Sequence, residues 1–215
     1  MNRGVNAMKN LLAALCLSAA SALAWALPTD KPDALVKALT EEVLQVLRTD
    51  EKLRAGDASR AIESIEKIVL PHFDLRRMTM LAVGRDWRDA TEAQRDRLVK
   101  GFYDMLVRTY SNALTEYRNQ TVDFRPLRMS PEDRSVRVQT EIRQPGGQPV
   151  PVDYMMEKNG SEWKVFDVVV AGVSLVTNYR GTFAQEIRNG GIDGLIRALE
   201  SRDKSLVPAS TPGKS

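Results

Sequence analysis

The chain holds one histidine, His72, and one cysteine, Cys16, so chemistry routed through either residue type has a single address. A Ser-His-Asp or other histidine-based mechanism would have to use His72, with Asp74 two residues on. Neighbours in sequence at a helix start usually bind local backbone instead, so this pairing alone does not specify catalysis. The second nucleophile candidate is Ser174 in Gly172-Val173-Ser174-Leu175-Val176, after a strand-like run and before a helix-like one. That is the setting of a nucleophile elbow, but the sharp turn wants a small residue where this chain has Val176. Ser174 reads more simply as a helix N-cap. One histidine, one cysteine and no carboxylates at ligand spacing give no metal site, and neither common glycine-rich phosphate loop is present. Arg76-Arg77, Arg85 and Arg180 could meet an anionic headgroup, although single surface arginines are usually just solvated. Residue types and spacing favour a binding module over an enzyme and leave the ligand open.

The 215 residues include 31 Lys+Arg, 28 Asp+Glu, 43% apolar and 27% charged residues. Those fractions belong to globular domains and exclude a polytopic membrane protein, a collagen-like repeat or an extended disordered chain. Arg3 and Lys9 precede an apolar run from Leu11 to Leu23, and Ala24-Trp25-Ala26 fits a small-x-small cleavage site. Residues 1–26 therefore read as a secretory signal peptide, the run being shorter than the roughly 20 residues a spanning helix needs. Cleavage after Ala26 would remove Arg3, Lys9 and Cys16 and leave a nearly neutral chain without cysteine. That balance argues against nucleic-acid binding and rules out disulfides in an exported, soluble product.

Elements that would position these residues follow from periodicity. Leu35, Leu39, Val43, Val46 and Leu47 fall on one helical stripe between Pro32 and about Leu53, and a second helix from the Asp57 cap stops at Pro71. A short third helix runs from Asp74 to about Val83, ending at Gly84. Thr91-Glu92-Ala93-Gln94 is a capping box that opens a long helix to about Tyr117. The period then changes to two. Val136, Val138, Thr140 and Ile142 alternate with polar residues, as do Val152, Tyr154 and Met156, and Asn159-Gly160 turns into a strand from Trp163 to Val170. Apolar residues on both faces of that last strand predict a central position. Thr121 to Met129 supplies a fourth strand. Helix returns at Ser174, breaks at Gly190-Gly191 and resumes around Leu195, and the stretch from Ser205 reads as a disordered tail. The expected fold is one α+β domain over residues 27–204, with residues 205–215 as the tail. Its antiparallel sheet of about four strands packs against a largely N-terminal helical layer plus two C-terminal helices.

Three blocks carry a family resemblance. They are Val69-Leu70-Pro71-His72-Phe73-Asp74 through Leu81-Ala82-Val83-Gly84-Arg85-Asp86-Trp87; Ala90-Thr91-Glu92-Ala93-Gln94-Arg95 with Phe102, Tyr110 and Tyr117; and Trp163-Lys164-Val165-Phe166-Asp167-Val168 with Gly172 to Arg180 and Gly190 to Leu195. In this order and spacing they resemble the MlaC, or toluene-tolerance auxiliary, family over nearly the whole chain beyond residue 26. The resemblance implies a periplasmic phospholipid-binding protein without catalysis or cofactor. Its partners would be an outer-membrane lipoprotein–porin complex and an inner-membrane MCE-type ABC transporter, between which it shuttles lipid to maintain outer-membrane asymmetry.

Water exposure costs an acyl chain about 0.8 kcal/mol per methylene, so a lipid crossing an aqueous compartment needs a carrier that encloses it. An apolar cavity between sheet and helices would serve, lined by Met78 and Leu81, by Phe102, Leu106 and Tyr110, and by Val138, Val152, Tyr154, Phe166, Val168 and Val170. Arg77 or Arg180 would meet the headgroup phosphate at the mouth. A carrier of another apolar lipid, such as a hopanoid or its precursor, and an exported serine hydrolase using Ser174 and His72 are the alternatives.

Overall fold

Proline suits the first turn of a helix, where its missing N–H would have had no partner, and Pro32 opens α1 (Pro32–Thr49). The structure, a computed structural model, describes residues 27–115, 119–202 and 204–207. The expected export segment, residues 1–26, and the expected tail beyond Val207 lie outside the described residues. Leu35, Val36, Leu39 and Leu47 form the buried stripe of α1. Asp50 ends it, because its carboxylate accepts from the N–H groups of Lys52 and Leu53 and so caps α2 (Glu51–Arg54) instead of continuing the helix. Asp57 caps α3 (Ala58–Ser64) in the same way. The chain then widens into a π-helical turn, Ile65–Val69, and tightens into a 3-10 turn, Leu70–His72, at Pro71.

Asp74 caps α4 (Leu75–Val83), which ends at Gly84 with φ 74°. The expected capping box opens α5 (Glu92–Thr115): Thr91 N–H donates to Gln94 Oε1 at 3.0 Å, and Gln94 N–H donates to Thr91 Oγ1 at 3.3 Å. Ser174 caps α6 (Leu175–Glu200), whose backbone leaves helical geometry at Gly190 and Gly191. Two helices therefore meet at the glycine pair, as expected. Phe102 of α5 meets Tyr179 and Phe183 of α6 edge-on, with ring centroids 5.3 and 5.2 Å apart. Gly101 permits this closeness, since a Cβ there would stand 2.8 Å from Cβ of Leu199. Leu206, 1% exposed, also packs into this helical core, so the packed chain extends past residue 204 into the stretch read as tail.

The sheet is antiparallel throughout in the order β1 (Thr121–Phe124), β2 (Ser135–Arg143), β3 (Val150–Asn159), β4 (Glu162–Val170), β5 (Val173–Ser174). It has five strands, not four, because the Ala171-Gly172 turn, with φ of 51° and 84°, folds Val173–Ser174 back onto β4. The central strand is β3. β4 lies beside it, most of its apolar residues share one face once a bulge is counted, and the preceding chain bonds along its outer edge. Trp163 N–H donates to the Thr29 carbonyl, Asp74 N–H donates to the Val165 carbonyl, and Phe73 bridges Val165 in parallel.

A bulge at Phe166 sets which side chains face inward. Met156 pairs with Val165, whereas Met155 pairs with Asp167, so one residue of β4 is skipped. The extra residue returns Val168 and Val170 to the face of Trp163 and Val165. That face also carries Val136, Val138, Val152, Tyr154 and Met156, in the observed register. The opposite face is polar, with cross-strand ion pairs such as Arg143–Asp123 and Arg125–Glu141.

Candidate functional site

α1 lies over the inner face of the sheet, and their apolar sides do not close completely. A cavity of about 360 Å³ remains between them. Val36, Leu39, Thr40, Val43, Leu44 and Leu47 form its helical wall. Val122, Ile142, Tyr154 and Val165 form the sheet side, and Val69, Phe73 and Gln120 complete the lining. Val69 belongs to the π-helical turn and Phe73 packs against both the core under α1 and the core among α4, α5 and α6. The irregular backbone around Pro71 thus supplies one wall.

A second, more open groove of about 450 Å³ adjoins the first, since Leu44 and Val122 line both. Its other walls are Glu41, Gln45, Arg48, Thr49 and Thr121, all exposed. Adjacent faces of α1 thus present an apolar pocket and a charged rim. The combined site is amphipathic: hydrocarbon can be enclosed at one end while polar groups keep contact with water at the other.

Of the lining residues expected from the sequence, Tyr154 lines this cavity. Val138 (1% exposed) and Val152 (5%) are buried on the same sheet face, and Val168 and Val170 share it. Phe166 occupies the bulge, with the Arg77 guanidinium 5.9 Å from its ring. Met78 and Phe102, each 1% exposed, are packed in the helical core, and Leu81 and Leu106 pack against it. Tyr110 is half-buried on α5, and burial raises the pKa of its phenol. The structure brings the sheet residues together and sets those of α4 and α5 apart. α1 supplies the helical wall expected from α4 and α5. Its signal was the width of its stripe: Val36, Val43 and Leu44 add to Leu35, Leu39 and Leu47 more apolar side chain than one packed seam requires.

The cations expected at the mouth have internal partners. Arg77 Nε stands 3.1 Å from the Glu157 carboxylate. Arg180 donates from Nε and Nη2 to the Leu81 carbonyl at 3.1 and 2.8 Å, tying α6 to α4. Arg76 pairs with Glu92 and Asp96. Ser174 donates to Asp167 at 2.5 Å and accepts from Thr177 N–H at 3.0 Å, while Asp167 accepts from the N–H groups of Val168 and Val176. This is the bonding of a helix cap locked onto the sheet; no hydrogen bond joins Ser174 to His72 among the described residues. Burial, and then the Lys164 charge, hold the His72 imidazole below its ordinary pKa. Among the described residues no group of His, Cys, Asp and Glu could hold a metal, and no helix is long and apolar enough to cross a membrane.

The family described as MlaC protein matches residues 37–201. The chain is similar to the toluene tolerance protein ttg2D of Pseudomonas putida, 27% identical over 163 residues, which make up 75% of each chain. It is 22% identical over 178 residues to the intermembrane phospholipid transport system binding protein MlaC of Haemophilus influenzae, covering 81% of this chain and 83% of that one. Among solved structures it resembles a phospholipid-binding protein of Ralstonia solanacearum in complex with a phospholipid. That likeness has a TM-score of 0.75 and 35% identity, over 81% of this chain and 97% of the other.

Proposed function

This chain belongs to the MlaC family, and from that premise we propose that it is a periplasmic phospholipid carrier. It would be exported by residues 1–26 and would move lipid between an outer-membrane lipoprotein–porin complex and an inner-membrane MCE-type ABC transporter, maintaining outer-membrane asymmetry. The observation that carries the reading is the apolar cavity opening beside a charged rim. The 35% identical relative, solved with a phospholipid, supports it.

At roughly 30 Å³ per methylene-sized group, water's own share of liquid volume, 360 Å³ takes about twelve groups, most of one acyl chain. Removing twelve methylenes from water is worth about 10 kcal/mol. The acyl chain lies between α1 and Tyr154, with Val138, Val152, Val168 and Val170 behind, and the headgroup stays at the rim near Gln45, Arg48 and Thr121. Met78, Leu81, Phe102, Leu106 and Tyr110 back the helical layer, and Phe166, Arg77 and Arg180 hold its elements to the sheet and to one another. The test is transfer of labelled phospholipid between donor and acceptor vesicles that cannot touch. Transfer proportional to protein concentration is expected, and a rate no higher than the protein-free control would sink the carrier reading.

A further inference from the structure

Tyr154 stands on the inner face of β3, opposite Val138 of β2 and Val168 of β4, and lines the apolar cavity. A phenol there needs explaining. Its hydroxyl can donate one hydrogen bond and accept others, and buried hydroxyls in folded proteins are nearly always paired. Nearby hydroxyls are accounted for. Thr40 of the cavity wall donates to the Val36 carbonyl at 2.7 Å, and Thr140, on the neighbouring strand, donates to the Val152 carbonyl at 2.7 Å. Gln120, the other polar residue of the lining, is also engaged. The Tyr154 hydroxyl has no hydrogen-bond partner among the described residues. The side chain is half-buried and lines the cavity, so it presents surface to that space.

We infer that the Tyr154 hydroxyl donates a hydrogen bond to an acyl ester carbonyl of the bound lipid, so that the cavity selects ester-linked glycerolipids over ether-linked or purely hydrocarbon ligands. The inference rests on the carrier reading above. Without ligand, water can serve the hydroxyl. A ligand made only of hydrocarbon displaces that water and leaves the hydroxyl unpaired, which lowers its affinity. A ligand with an acceptor at the same depth replaces the bond. In a phospholipid the phosphate is ionised and stays hydrated, because burying an unpaired charge is far costlier than burying a neutral dipole. The neutral acceptors next to the hydrocarbon are the ester carbonyls. A site built to hydrogen-bond a ligand group discriminates against the analogue that lacks it, which sets Tyr154 apart from valines that only measure shape.

The test compares two phospholipids of identical headgroup and chain length, one diacyl and one dialkyl ether, for binding to the full chain. The wild type should prefer the diacyl lipid by roughly fivefold, the net value of one neutral hydrogen bond. Tyr154→Phe should lose that preference while keeping its thermal midpoint. Equal binding of both lipids by the wild type, or a preference that survives in Tyr154→Phe, would overturn the inference and leave the carrier reading intact. Failure of the wild type to bind either lipid would overturn both. A measurement independent of the variant is the infrared carbonyl band of bound, isotope-labelled diacyl lipid. It should move to lower frequency than in a hydrocarbon solvent, and an unmoved band would also overturn the assignment.

Discussion

Val43→Trp probes the cavity by filling it. Val43 is half-buried in the middle of α1 and lines the apolar pocket. Tryptophan has seven more side-chain heavy atoms than valine, fused into compact rings that add roughly 90 Å³ at the packing density of a protein interior, about a quarter of the 360 Å³ present. About three methylenes of a bound chain would be expelled, at about 0.8 kcal/mol apiece. The full loss is about 2.4 kcal/mol, and with half of it recovered by the chain shifting toward the rim the affinity still falls about sevenfold. The ligand-free fold should hold, because the indole enters empty space instead of overpacking a filled core. Two readouts are needed: equilibrium binding of a labelled phospholipid, and the thermal midpoint of lipid-free protein. Binding within about threefold of wild type, with the midpoint kept, would refute the placement of the chain under α1.

Other perturbations test the scaffold. Gly101→Ala puts a Cβ 2.8 Å from Leu199 Cβ and should lower stability by about 1–3 kcal/mol in chemical denaturation, by forcing α5 and α6 apart. Ser174→Ala removes the cap of α6 and its bond to Asp167, and should cost about 1–2 kcal/mol while leaving lipid transfer intact. Abolished transfer in a folded Ser174→Ala, His72→Ala double variant would favour the hydrolase instead. The His72 imidazole lies below its ordinary 6.5 in the folded chain, chiefly through burial, with Lys164 adding to this and Glu162 and Glu42 opposing. The unfolded chain therefore takes up this proton first, so the contribution of His72 is complete above about pH 6.5 and is lost as the pH falls below it. Wild type should lose more stability than His72→Asn between about pH 7 and about pH 5, and parallel profiles would contradict that.

Much of the fold was legible because caps and turns act locally. Asp57, Asp74, Thr91 with Gln94, and Ser174 bind the nearest backbone N–H groups, so their residue types marked helix starts correctly. Asp50, which divides α1 from α2, passed for ordinary helix surface because the apolar stripe runs on to Leu53. The position of β4 was misread because strict alternation divides its apolar residues between two faces, whereas the observed register puts Val168 and Val170 on the face of Trp163 and Val165. Nor is the bulge at Phe166 written in any local pattern. It follows Val165, which pairs with Met156 and bridges Phe73, and it decides that Val168 and Val170 face inward. The site followed the same division. Alternation pointed to Tyr154, which lines the cavity, but a helix that lines a cavity and a helix that fills a core carry the same stripe. α1 and α5 could be told apart only by what packs against them, and the partners of Arg77 and Arg180 lie too far along the chain to be paired by spacing.

The central claim, that this chain encloses phospholipid, is tested most directly by native mass spectrometry of the full chain expressed in a Gram-negative host and purified without detergent. One phospholipid per chain, released on denaturation and identified by fragmentation, is the predicted result. A protein at its bare polypeptide mass that also takes up no added phospholipid would contradict the account.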